Sequence, residues 1–130
     1  MLKGSCLCGA ITYQIDGQLE EMGHCHCRMC QKAHGAAFGT YAMVRWDEFE
    51  VLGGEDQIGR YQSSDIITRS FCKSCGSTLQ FIRVDASAFG LAVGTLDDDP
   101  GIMPVYEIWT ESKAKWCELE KGISSYTREP

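Results

Sequence analysis

Hydrophobic positions along the chain recur mostly at every second residue, the period of strands with one face buried. Ile11, Tyr13 and Ile15 alternate with Thr12 and Gln14, which predicts a half-buried strand. Further extended stretches are predicted over residues 37–44, 50–52 and 58–62. Segments 66–71 and 78–84 flank Cys72 and Cys75, predicting a hairpin built around that turn. Over residues 88–95, Phe89, Leu91, Val93 and Thr95 share one face, while Ala88, Gly90, Ala92 and Gly94 leave the other nearly bare. Such a strand lets another backbone, or a ligand, approach closely. Asp97-Asp98-Asp99-Pro100-Gly101 reads as a solvated turn, and residues 104–109 as a late strand. One short helix is expected, from about Arg28 to His34, ended by Gly35 as a left-handed cap. No repeat, low-complexity tract or linker interrupts this pattern, so the expectation is one mainly β domain over residues 1–130.

Composition narrows the class. The chain is 44% hydrophobic and 23% charged, an ordinary globular balance that argues against disorder. Its longest strictly apolar run covers only residues 41–44, far short of the ~20 residues a membrane helix needs. Its start, Met1-Leu2-Lys3-Gly4-Ser5, lacks the apolar stretch of a secretory signal, so a cytoplasmic location is expected. Twelve basic against eighteen acidic residues give a formal charge of −6, with no Lys/Arg run to attract phosphate backbones. Nucleic acid and membrane are therefore not expected as partners.

Cysteine changes the picture. Seven of the eight cysteines fall into tight groups: Cys6 with Cys8, Cys25 with Cys27 and Cys30, and Cys72 with Cys75. In a reducing compartment such clustering favours a thiolate-bound metal, most simply zinc, over disulfides. On an extended strand Cys6 and Cys8 share a face, and the Cys72-Lys73-Ser74-Cys75-Gly76 knuckle turns two sulfurs together. Two plus two closes a tetrahedral four-thiolate site, which is structural. Iron in a rubredoxin-like site is the alternative, and it would colour the protein.

Cys25-His26-Cys27-Arg28-Met29-Cys30 supplies three further ligands. Three leave a coordination position for substrate, the arrangement of catalytic zinc, unless His24, His26 or Cys117 closes the site. If the helix starts near Arg28, Cys27 is its N-cap and Cys30 lies in its first turn, where free N–H groups favour thiolates. His26, between two ligands, is expected to point its ring away, with His24 on the same opposite face. Cys117 is expected to be a small buried residue. Thiolate-rich zinc is a weak Lewis acid, better at holding another thiolate than at ionising water, so chemistry on a small thiol is favoured over hydrolysis.

These motifs, taken in order, resemble one family. Gly4-Ser5-Cys6-Leu7-Cys8-Gly9-Ala10-Ile11, Cys25-His26-Cys27 with Cys30 and Gly35, Arg69-Ser70-Phe71-Cys72 through Cys75-Gly76-Ser77, and Ile108-Trp109 with Ser112-Lys113 and Trp116 are similar to glutathione-dependent formaldehyde-activating enzymes, a family that includes centromere protein V. The resemblance implies a tent-like β fold and a structural zinc on Cys6, Cys8, Cys72 and Cys75. It also implies a more labile zinc on Cys25, Cys27 and Cys30, and a carbon–sulfur lyase that joins formaldehyde to glutathione. Glu107 stands where many members carry His.

The mechanism expected from both readings holds the substrate thiol on the three-cysteine zinc as a thiolate, positioned against a small aldehyde. His26 is the candidate proton donor to the nascent alkoxide, or else a residue behind the ligands or on the surface. Arg28, Lys32 and Arg69 are candidate partners for the carboxylates of glutathione. The alternative is a non-enzymatic zinc module of the same fold, serving interaction or metal buffering.

Overall fold

The computed structural model describes all 130 residues, Met1–Pro130. Its strands are β1 (Leu2–Ser5), β2 (Thr12–Ile15), β3 (Met22–Cys25), β4 (Gly39–Arg45), β5 (Phe49–Gly53) and β6 (Ile58–Gln62). They continue with β7 (Ile67–Cys72), β8 (Thr78–Arg83), β9 (Ala88–Ala92), β10 (Pro104–Ile108) and β11 (Ser124–Ser125), and the one α-helix is α1 (Arg28–His34). The fold is mainly β, as the alternation implies, and forms two compact units. One combines residues 1–20 and 42–101; the other combines residues 21–41 and 102–130. No helix is long and apolar enough to cross a membrane.

In the first unit, β1, β2 and β5 form an antiparallel sheet. The predicted strand around Tyr13 is β2, and its alternation is visible in the burial of Tyr13 and Ile15 between half-buried Thr12 and Gln14. Tyr13 packs on Phe49, and Phe49 and Trp46 pack on Phe89. Burial pushes the Tyr13 hydroxyl pKa up to about 12, while its Oη meets Thr95 Oγ1 at 2.6 Å. Strands β6, β7 and β8 run antiparallel, and β9 pairs antiparallel with β8. The β7–β8 hairpin joins across residues 72–77, as expected from the cysteine turn.

One local expectation is corrected and another holds. The pattern over 88–95 is not one strand: β9 stops at Ala92, and Val93–Thr95 is a 3₁₀ turn. The Thr95 hydroxyl bonds back to Ala92 O at 2.8 Å, a side-chain alternative to the sheet ladder. The three aspartates form an exposed loop as expected, and their carboxylates also accept hydrogen bonds: Asp97 from Ser5, Asp98 from the Lys3 N–H and Asp99 from the Gly101 N–H. The loop thereby pins β1.

In the second unit, β10 lies between β3 and β11 and runs parallel to both. β3 has no polar alternation because all four of its residues are buried. The helix spans the predicted residues, with Cys27 as N-cap and Gly35 in the left-handed conformation as C-cap.

Candidate metal centres

Cys6, Cys8, Cys72 and Cys75 bring their sulfurs within 4.8 Å of one another. The expected extended Cys6–Cys8 segment is a tight turn instead. The Gly9 N–H bonds to Cys6 O at 3.0 Å, and Gly9 takes a positive φ that a side chain would resist. The partner knuckle repeats this device: the Gly76 N–H bonds to Cys72 O at 2.8 Å, again with positive φ at the glycine. Ser77 joins the two turns by accepting the Leu7 N–H at 2.8 Å. The group closes one end of a buried cluster containing Ile11, Ile58 and Leu79.

The spacing fits a tetrahedral ion. Two zinc–sulfur bonds of about 2.3 Å at a tetrahedral angle separate the sulfurs by about 3.8 Å. Cys6 and Cys8 are 3.6 Å apart, and Cys8 and Cys72 3.9 Å. Four thiols so close do not ionise independently. The Ser77 hydroxyl and N–H hold Cys75 down at about 5. The Ala10 N–H favours the Cys8 thiolate, but the neighbouring thiols, Cys6 foremost, push it up to about 11. A divalent cation removes that conflict by binding all four as thiolates.

The second group, Cys25, Cys27 and Cys30, also lies within 4.8 Å. Cys25 ends β3, Cys27 caps α1, and Cys30 sits in the first turn. Cys27 Sγ accepts the Cys30 N–H at 3.3 Å, so the helix start holds a ligand as well as positioning it. Its neighbours Cys27 and Cys30, followed by burial, push the Cys25 thiol well above its ordinary value. This donor set is pure sulfur, the chemistry that suits a soft divalent ion. Neither His24, His26 nor Cys117 belongs to it. Cys117 is half-buried rather than buried, and its thiol is directed at Glu118 O.

A buried polar frame surrounds the three cysteines. His26 is 0% exposed, and its Nε2 lies 2.8 Å from Glu107 Oε1, itself in a residue only 1% exposed. The other Glu107 oxygen accepts the Glu120 N–H at 2.9 Å. His26 also donates its backbone N–H to Ile108 O, and Gln31 Nε2 donates to both His26 O and Ser112 O. His24 and His26 both stack on Phe38, which agrees with their shared face. Burial foremost lowers the His24 pKa, despite the nearby Glu107 and Glu120. His26 Nδ1 has no hydrogen-bond partner in the protein. A surface position for His26 is thus excluded.

The three candidate cations belong to different compact units. Arg28 and Lys32, on α1, line a depression of about 220 Å³ with Gln31, Gly35, Ala36 and Trp116. Trp116 is 75% exposed at its rim, a feature its isolated position in the sequence did not reveal. Arg69 belongs to the first unit, where it is buried, bonds to Ser63 Oγ at 3.2 Å and stacks on Phe81. Sequence reasoning also left Glu107 without a role, because its partner lies 81 residues away.

The pattern of glutathione-dependent formaldehyde-activating enzymes matches residues 1–112. The chain belongs to that family. An uncharacterized lyase of Schizosaccharomyces pombe is 30% identical over 79 residues, covering 61% of this chain and 56% of the yeast protein. A putative glutathione-dependent formaldehyde-activating enzyme of Podospora anserina is 32% identical over 77 residues, or 57% of this chain and 36% of the fungal protein. The matches therefore span about half of one curated relative and about a third of the other. A crystallographically determined Rhodobacter sphaeroides protein shares the fold, with a TM-score of 0.65 at 22% identity over 95% of this chain and 98% of that one.

Proposed function

We propose that this protein adds a small aldehyde, formaldehyde foremost, to the thiol of a carboxylate-bearing substrate such as glutathione. The supporting observation is the odd number of donors at Cys25, Cys27 and Cys30: three sulfurs converge, and no other side chain of this kind joins them. Cys25, Cys27 and Cys30 would hold a zinc ion, which would supply a site favouring the thiolate form of a substrate thiol at neutral pH. In the reaction the sulfur–carbon bond forms, the carbonyl π pair moves to oxygen, and that oxygen takes up from water the equivalent of the proton the thiol gave up.

The protein's own groups account for binding and order. Cys27 is the most accessible of the three sulfurs, being half-buried while Cys25 and Cys30 are buried, so the group is approached from its side. Arg28 and Lys32 attract substrate carboxylates, and exposed Trp116 offers an apolar wall beside them. The buried His26–Glu107 pair keeps the ligand loop in one conformation, and proximity then supplies much of the rate gain.

The test is metal content and adduct formation in Cys27→Ser. One zinc per chain and the catalysed rate should be lost together; loss of the zinc with activity intact overturns the mechanism. A wild-type protein that neither binds glutathione nor accelerates its reaction with formaldehyde supports the non-enzymatic zinc module instead.

A further inference from the structure

Cys30 has a partner outside its own loop. Tyr41, on β4, directs its hydroxyl at Cys30 Sγ over 3.8 Å, and the same oxygen lies 2.7 Å from His34 Nε2. A phenol has one proton to donate. With that proton directed at sulfur, His34 must present Nε2–H to the Tyr41 oxygen, which sets its tautomer. The result is a one-way chain, Nε2–H to Oη–H to Sγ. The two rings meet edge to face at 5.2 Å, which fixes the hydroxyl laterally. Gly39 makes room for them: a Cβ there would come within 2.7 Å of His34 Nε2 and 2.8 Å of the Tyr41 ring.

We propose that Tyr41, oriented by His34, is a positioning residue that draws charge from the Cys30 sulfur, so that the three-cysteine centre accepts an anionic fourth ligand. This rests on the function proposed above. Three thiolates outweigh the charge of one divalent ion, and a fourth thiolate adds to the excess. A hydrogen bond to a sulfur spreads its charge and lessens what it gives the metal. Cys27 already has such a bond from the Cys30 N–H. Cys30 is buried, and Tyr41 directs such a bond at its sulfur. The chain of donors thus makes room electrostatically for the substrate.

Cobalt(II) replacing zinc tests this without relying on turnover. In Tyr41→Phe the sulfur-to-cobalt charge-transfer band should move to lower energy, because an unbonded thiolate is easier to ionise. Binding of 2-mercaptoethanol, a thiol without carboxylates, read from the same spectrum, should weaken about tenfold, the lower end of what losing a partner behind a metal ligand costs. His34→Leu should give a smaller change of the same sign, and His34→Gln, which retains an N–H, should restore most of it. The four-cysteine centre contributes a constant background and reports that the variants are folded. Unchanged band energy and unchanged thiol affinity in folded Tyr41→Phe overturn the inference. If the spectral and affinity changes occur but the wild type forms no adduct, the inference stands and the proposed reaction falls.

Discussion

The two cysteine groups are assembled in opposite ways. The four-sulfur group joins two tight turns more than sixty residues apart, and each turn needs only its own glycine to form. The three-sulfur group lies within six residues, yet Glu107 and Ser112, which frame it, come from 81 residues away, and Tyr41 from the next strand. In the first, local structure makes the sulfur donors, the Leu7–Ser77 bond brings the two turns together, and a bound metal would add a second link between them. In the second, local structure makes the ligand set and long-range packing holds it. A metal that joins remote segments adds its binding energy to folding; one bound within a single loop adds little.

The sharpest way to break this comparison is to remove one ligand from each group. Cys72→Ser should lose zinc and unfold, since structural zinc contributes about 10–16 kcal/mol in small metal domains, as much as the whole stability of a typical domain. Cys27→Ser should lose its zinc and keep a cooperative melt within a few degrees of wild type. Equal melts for the two variants, by circular dichroism with parallel metal analysis, would erase the distinction.

Next in size is the frame. Glu107→Leu leaves His26 buried without its partner and should cost about 1–3 kcal/mol in chemical unfolding, the penalty for an unsatisfied buried polar group. A cost below about 1 kcal/mol would show that the frame is incidental.

Alkali examines the first unit through a group outside its cysteines. Tyr13 titrates near 10 when unfolded and near 12 when folded. The unfolded chain therefore gives up the proton first, and stability falls by about 2–3 kcal/mol as pH rises from 10 to 12. Tyr13→Phe should start about 1 kcal/mol less stable at neutral pH, through the lost Thr95 contact, and should lack this alkaline loss. An unaltered slope in urea melts across that range would assign the loss elsewhere.

The smallest effect belongs to the exposed cation. Lys32→Ala should raise the KM for glutathione about two- to threefold, as expected for a surface charge, and leave that for 2-mercaptoethanol unchanged. A matching rise for both thiols would remove Lys32 from the carboxylate subsite.

Much of this arrangement is legible in the residues, and the exceptions have physical reasons. The β7–β8 hairpin and α1 were predictable because their signals, a cysteine–glycine knuckle and a capped helix, are contained in a few consecutive residues. Cys6 and Cys8 were expected on a strand because both an extended segment and a tight turn bring such a pair together; the backbone bond from Gly9 decides for the turn. β3 escaped the periodicity argument because burial on both faces leaves no polar alternation. Val93 and Thr95 continue the alternation of β9 in sequence, but a hydroxyl bond turns the chain there.

By itself the sequence determined the mainly β class, the grouping of seven sulfurs and the helix that presents two of them, because periodicity, caps and knuckles act over a few residues. Only the tertiary structure decided that His26 is sealed against Glu107, that Arg69 is engaged in the first unit, and that Tyr41 and His34 reach Cys30. The His26–Glu107 contact depends on the β3–β10 pairing, the Arg69–Ser63 bond on the β6–β7 pairing, and the His34–Tyr41–Cys30 chain on how β4 returns beside the helix. A hydrogen-bond partner leaves no mark in the sequence around the residue it satisfies.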